Sequence, residues 1–183
     1  MKLWWNFANG MGIVSAIACT SNCSAIREEP EMPYRICKTI DIENGHMLSK
    51  HPDLCKFPHG HTRKVEFVLE ADALDKNEMV CDFKVLKETM DEFLKSWDHA
   101  ICMNTRDASF KMMKGTFGDR VIPFDNQDPT TEVMARTIYD VLRKNLAEYA
   151  ARADARYPIG SQLRVVKVRL WETASSWAEY SET

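Results

Sequence analysis

What the chain lacks narrows the field first. Its six cysteines (Cys19, Cys23, Cys37, Cys55, Cys81 and Cys102) never form a CxxC pair. That excludes a zinc-ribbon reading, and the density is too low for a small disulfide scaffold. They read as mostly reduced thiols in a cytoplasmic protein. Neither charge sign dominates: 24 Lys and Arg stand against 27 Asp and Glu, a net charge of −3. No general affinity for nucleic acid or membrane follows from that balance. There are no internal repeats and no low-complexity tracts. What remains, 183 residues of globular composition, is one domain able to bury a real core.

No long hydrophobic run is present either. The nearest approach, Met11 to Ala18, is broken by Gly12 and Ser15 and is far too short to span a bilayer. It ends at Cys19, with Lys2 the one cation before it, so a weak secretory or lipoprotein signal is one reading. The preferred expectation is that residues 1–31 are an N-terminal extension, disordered or preceding a true start at Met32. Residues 32–183 then form the domain.

Four of the five histidines lie between His46 and His61, together with Cys55. His59-Gly60-His61 opens a predicted strand, in which residues two apart share a face. Both imidazoles can therefore reach one ion, with Gly60 adding no side chain to crowd it. A third histidine upstream would complete a three-nitrogen site with an open position, the pattern of catalytic zinc. Imidazole equally suits copper, iron or nickel. An isolated HxH pair is also compatible with ordinary core histidines.

Tyr34 to Ile42 alternates as a strand, and His61 to Ala71 does so more clearly, with Val65, Phe67, Leu69 and Ala71 on one face. His59 and His61 share that inward parity. Asp82 is placed to cap a helix to about Lys95, whose core stripe is Phe83, Leu86, Met90, Phe93 and Leu94. Residues 102–120 read as a long loop, locally basic through Arg106, Lys111, Lys114 and Arg120, which could serve an anionic substrate. Val121 to Phe124 is a short strand. Asp128-Pro129 is expected to start a second helix, with Asp as N-cap and Pro at the first position, buried through Met134, Ile138, Val141, Leu142 and Leu146. A last strand runs from Leu163 to Glu172, with Val166, Val168 and Leu170 facing one way. The order predicts an α+β fold: a mainly antiparallel, four-stranded sheet with two helices on one face.

Two further features invite chemistry. Asp98-His99 is a carboxylate beside an imidazole, suited to acid–base work, although a surface turn would also hold it. Glu172 continues the apolar parity of its strand, where a carboxylate is costly unless paired. Otherwise the strand has ended and Glu172 sits in water.

Taken together, GHML at 45–48, Cys55 four residues before HGH at 59–61, CDFKVLK at 81–87, WDHAICMN at 97–104, DPTTEV at 128–133 and WETASSWAEY at 171–180 resemble the 6-pyruvoyltetrahydropterin synthase / 6-carboxytetrahydropterin synthase family. The resemblance runs from Met32 to Tyr180. It departs from the family in having Gly45-His46-Met47-Leu48 for a more usual Ala-His-Arg-Leu, and in a longer 105–127 loop.

The resemblance implies the tunnelling fold (T-fold), with sheets joined edge to edge into a barrel and two trimers stacked as a hexamer. It implies a zinc ion (Zn2+) on His46, His59 and His61, with Cys55 and the Asp98–His99 pair as catalytic groups. Glu172 would anchor the pterin through its guanidine-like N–H edge. The implied substrate is 7,8-dihydroneopterin triphosphate. The implied products are 6-carboxytetrahydropterin with acetaldehyde and triphosphate, or a 6-pyruvoyl compound in the sister branch. Nucleic acid and membrane are not among the expected partners. Two rival readings stand beside it: a pterin-binding zinc protein without turnover, and a histidine-bound iron oxygenase, which would give Cys55 and Glu172 no role.

Overall fold

The computed structural model describes residues 32–182; the expectation for residues 1–31 lies outside them. Six strands form one sheet in the order β4-β3-β1-β2-β5-β6. Strands β1 (Tyr34–His46) and β2 (His59–Ala71) are a long antiparallel hairpin. Strand β3 (Ala100–Asn104) pairs parallel to the end of β1, and β4 (Val121–Phe124) parallel to β3. On the other side β5 (Arg164–Trp171) pairs antiparallel to β2, and β6 (Trp177–Tyr180) antiparallel to β5.

Helices α1 (Lys84–Trp97) and α3 (Thr131–Ala150) pack on the sheet, and a third, α2 (Phe110–Phe117), sits beside β3 and β4. The α+β class with two long helices holds. The expected four strands become six, and two of the pairings are parallel. The 102–120 stretch is not simply a loop. It continues from β3 into α2, whose Phe110 and Met113 cover Met47, Met103 and Val121.

The core follows from strand parity. Val65, Phe67 and Leu69 of β2 are fully buried, against Val168 and Leu170 of β5. Above them lie Val85, Leu86, Met90, Leu94 and Trp97 of α1, and Met134, Ala135, Ile138, Leu142 and Leu146 of α3. Each Val, Leu, Ile, Met or Phe among them contributes about 1.5–3 kcal/mol by leaving water. Phe83 is exposed and Phe93 only lines the margin. The β2–β5 register slips between Val68 and Leu69. A bulge of this kind inserts one residue, which turns Val165 onto the core and takes Val166 off it. Alternation then resumes, so Val168, Leu170 and Glu172 share the inner face.

Two helix starts differ from expectation. Asp82 accepts from the Lys84 N–H, but the N-cap position is Phe83. Helix α3 begins after Thr130, whose hydroxyl accepts from the Val133 N–H. Asp128 is therefore not its cap. It is buried, and its carboxylate takes Ser49 Oγ at 2.6 Å, the Lys50 N–H at 2.7 Å and Asn104 Nδ2 at 2.8 Å. This carboxylate pins the segment after His46 to the α3 entry. Burial raises its pKa, but the Ser49, Asn104 and Lys50 hydrogen bonds outweigh that and hold it below the usual range. No helix among the described residues is long and apolar enough to cross a membrane.

Candidate functional site

The hairpin places the three histidines. His46 ends β1 directly opposite His59, which begins β2. His61 lies two residues on, on the same face. Their ring centroids are 4.4–5.2 Å apart, and one ligand atom from each lies within 4.8 Å of the others. Gly60 does not act as expected. Its missing side chain would point to the opposite face, so it leaves the bare sheet opposite Gly45 rather than room for an ion.

Hydrogen bonds set the ring tautomers. His46 Nδ1 is 2.8 Å from the Pro129 carbonyl, and His59 Nδ1 is 2.8 Å from the Phe57 carbonyl. A carbonyl only accepts, so each Nδ1 carries a hydrogen, and Nε2 is the nitrogen left to face a ligand. Arg63 Nη2 is 3.1 Å from His46 Nδ1 but cannot donate to a nitrogen already bearing hydrogen. His46 Nε2 and His61 Nε2 are buried with no hydrogen-bond partner among the described residues. Burial first, then the Arg63 charge, lowers the His61 pKa, which favours the neutral ring. Three imidazoles converging on one point fit a borderline transition metal such as zinc.

Glu172 faces this cradle. Its Oε1 lies 3.3 Å from His46 Nε2, 3.5 Å from His61 Nε2 and 3.5 Å from Arg63 Nη2. The His46 contact first, with the Arg63 charge next, holds its carboxyl at about 2 against the opposing cost of burial. The expected inward parity of Glu172 is what the structure has.

Arg63 is the residue that sequence reasoning missed. It is fully buried, with Nη1 donating to Thr131 Oγ1 at 3.2 Å and Nε without a partner among the described residues. The signal was available, because Arg63 stands between His61 and Val65 in the inward parity. A guanidinium there remains a cation, since burial lowers its pKa but Glu172 raises it.

The other predicted residues are not in side-chain contact with the cradle. Cys55 sits half-buried in a 3-10 turn, Leu54–Lys56, within the β1–β2 connection, and its carbonyl accepts from the Leu48 N–H. By contrast Cys102, beneath the cradle, is fully buried and its thiol is pushed up to about 12, which makes it inert. The four cysteines among the described residues are all free.

Asp98 and His99 follow α1. Asp98 Oδ2 is 2.9 Å from His99 Nδ1, and Asp98 Oδ1 accepts from the Glu43 N–H at 2.8 Å. The Glu43 bond first, then His99, lowers the Asp98 pKa. His99 has φ +57°, a left-handed conformation, and its N–H donates to the Glu43 carbonyl at 2.6 Å. His99 is exposed and borders a cavity of about 350 Å³ with Glu43, Gly60 and Thr62. Of the basic residues in 102–120, Lys114 bonds the Val121 carbonyl and Arg120 the Asp98 carbonyl; both are structural. His51 accepts from the Asp53 N–H and stays in its loop.

The geometry has close counterparts among known proteins. The family described as 6-pyruvoyl tetrahydropterin synthase matches residues 35–183. This chain belongs to that family. It is 30% identical over 169 residues to the 6-carboxy-5,6,7,8-tetrahydropterin synthase of Aquifex aeolicus, covering 82% of this chain and 99% of that one. It is 30% identical over 161 residues to the enzyme of the same name from Haemophilus influenzae, covering 81% and 99%. Among solved structures it superposes on a catalytic-residue mutant of Plasmodium vivax 6-pyruvoyltetrahydropterin synthase with a TM-score of 0.60 at 15% identity, covering 82% of this chain and 98% of that one. That likeness establishes the tunnelling fold.

Proposed function

We propose that this pterin synthase is a zinc-dependent 6-carboxy-5,6,7,8-tetrahydropterin synthase. It takes 7,8-dihydroneopterin triphosphate to 6-carboxytetrahydropterin, releasing acetaldehyde and triphosphate, as a step toward queuosine and other deazapurines. The observation that carries the reading is the three-imidazole cradle, within a chain 30% identical to two proteins of that name over nearly their whole length.

His46, His59 and His61 would hold the zinc, which when bound would supply Lewis-acid activation of the substrate's side-chain hydroxyls and the carbon protons beside them. Cys55 moves those protons. His99, fixed in orientation by Asp98, is the second proton carrier. Glu172 accepts from the N–H donors of the pterin edge and so sets the substrate's register. Asp98 and His99 bond to the backbone of outward-facing Glu43, whereas the cradle faces inward. Sites formed between subunits would let the pair of one protomer serve the cradle of the next. The edges of β4 and β6, unpaired among the described residues, offer the joints for a barrel, in a hexamer of two trimers in the cytoplasm.

The test is product identification by mass spectrometry after incubating zinc-loaded protein with 7,8-dihydroneopterin triphosphate, beside a chelated control. A 6-carboxytetrahydropterin mass with acetaldehyde supports the proposal. A 6-pyruvoyl mass moves the protein to the sister branch. No zinc-dependent product refutes the enzyme reading for this substrate.

A further inference from the structure

Two buried nitrogens face one carboxylate oxygen inside the cradle. The Pro129 carbonyl holds His46 through Nδ1 and turns Nε2 inward, and Nε2 of His46 and of His61 are buried with no hydrogen-bond partner among the described residues. Glu172 Oε1 lies 3.3 Å from the first and 3.5 Å from the second. A cation held between the three atoms would satisfy both nitrogens and the carboxylate at once. The spacing is also that of a common ion. Zinc–nitrogen and zinc–oxygen bonds of 2.0–2.2 Å place neighbouring donors of a tetrahedral site about 3.3–3.6 Å apart.

The setting of Glu172 supports the same role. Arg63 is a permanent cation with no exposed surface, beside a set of donors built for another cation. Like charges in so little water need an anion between them, and Glu172 is the carboxylate that Arg63 touches among the described residues. Arg63 Nη1 is itself fixed by Thr131 Oγ1, at the start of α3. The carboxylate is thereby aimed along its Oε1.

We infer that Glu172 is a fourth protein donor to the metal cradle of His46, His59 and His61, steered there by the buried Arg63. This rests on the zinc reading above and extends it. A site closed by four protein donors has no vacancy for substrate, so a pterin that claims Glu172 also uncovers the metal. One carboxylate thus couples recognition of the pterin ring to access for its side chain.

The test is metal binding in the absence of substrate. Zinc affinity is measured by competition with a chromophoric chelator for the parent, Glu172→Gln and Glu172→Asp. Cobalt-substituted samples report coordination through their visible d–d bands. Glu172→Gln is near-isosteric, and circular dichroism checks its fold. Glu172→Asp keeps the charge but withdraws the oxygen by one methylene. The expected result is an affinity loss of at least tenfold in both variants, with a shifted and altered cobalt band. Affinities within twofold of the parent with an unchanged band overturn the inference and leave the zinc enzyme standing. An affinity loss in Glu172→Gln alone, with the band unchanged in both, assigns Glu172 a purely electrostatic role and also overturns it. A parent that takes up no stoichiometric zinc overturns both readings.

Discussion

Replacing His99 by glycine and by alanine separates what its backbone costs from what its side chain does. The residue has φ +57°, where an L side chain costs about 1–2 kcal/mol. The surroundings over-determine that conformation. His99 N–H bonds the Glu43 carbonyl, Glu43 N–H bonds Asp98, Asp98 N–H bonds the Leu94 carbonyl, and Arg120 bonds the Asp98 carbonyl. Glycine relieves the steric cost but brings back about 0.5–1 kcal/mol of unfolded-chain freedom. His99→Gly should therefore be as stable as the parent or better by about 0.5 kcal/mol. His99→Ala retains the steric cost. Both variants lose the exposed contact to Asp98, so that loss cancels in the comparison. The alanine variant should lie about 1 kcal/mol below the glycine variant, a Tm gap of about 2–4 °C for a chain of this size. Calorimetry on both proteins measures it, and turnover on the same samples should fall about 100- to 10,000-fold in each. An alanine variant at least as stable as the glycine variant refutes the strain argument. Undiminished turnover in His99→Gly removes His99 from the proton path.

Asp128→Ala leaves Ser49, the Lys50 N–H and Asn104 without their shared acceptor and should cost about 3 kcal/mol, read as a lower denaturant midpoint at unchanged slope. For pH, the folded Asp128 pKa is depressed, so its contribution is fully present above the unfolded value near 3.9. It is lost as pH falls through the folded value, and the stability gap between parent and Asp128→Asn should hold from pH 7 to 5 and shrink below 4. The two facing glycines should differ: a Cβ on Gly45 meets the paired His59 carbonyl at 3.3 Å, while one on Gly60 meets nothing nearer than 3.7 Å. Gly45→Ala is expected to lower stability by about 1 kcal/mol and Gly60→Ala to leave it level or raise it by about 0.5 kcal/mol. Zinc held free at 100 times its Kd should stabilise the protein by about 2.7 kcal/mol, and a chelator should remove that increment from the melting curve. A Tm indifferent to chelation argues against a folded-state metal site.

Much of this was legible because strand parity is a strict rule. The inward histidines, Val65 to Ala71 and Glu172 all lie where a period of two puts them. The same rule failed at Val166, since a bulge leaves no mark in a run of three apolar or aliphatic-stemmed residues. Helix α2 was hidden by Gly115 and its lysines, although Phe110, Met113 and Phe117 keep helical spacing. Strands β3, β4 and β6 are only four or five residues long. Pairing partners, parallel in two cases, are not encoded in so short a pattern. Asp128-Pro129 looked like a helix start because its local chemistry suits one, and a long-range tether to residues 49, 50 and 104 claimed the carboxylate instead. The contact between Glu172 and Arg63 joins residues more than a hundred positions apart, and nothing local announces it.

The hairpin has a consequence for how the protein is made. His46, His59, His61 and Arg63 all belong to β1 and β2, so three imidazole donors and their cationic neighbour are complete once the ribosome has released the chain through Ala71. Glu172 follows roughly 100 residues later, a delay of roughly 5–20 s at ordinary elongation rates. During that interval the nascent hairpin presents three imidazoles and a cation with no carboxylate to balance them. Glu172 arrives just after β5, so the carboxylate that faces the three histidines belongs to the last third of the chain to be synthesised.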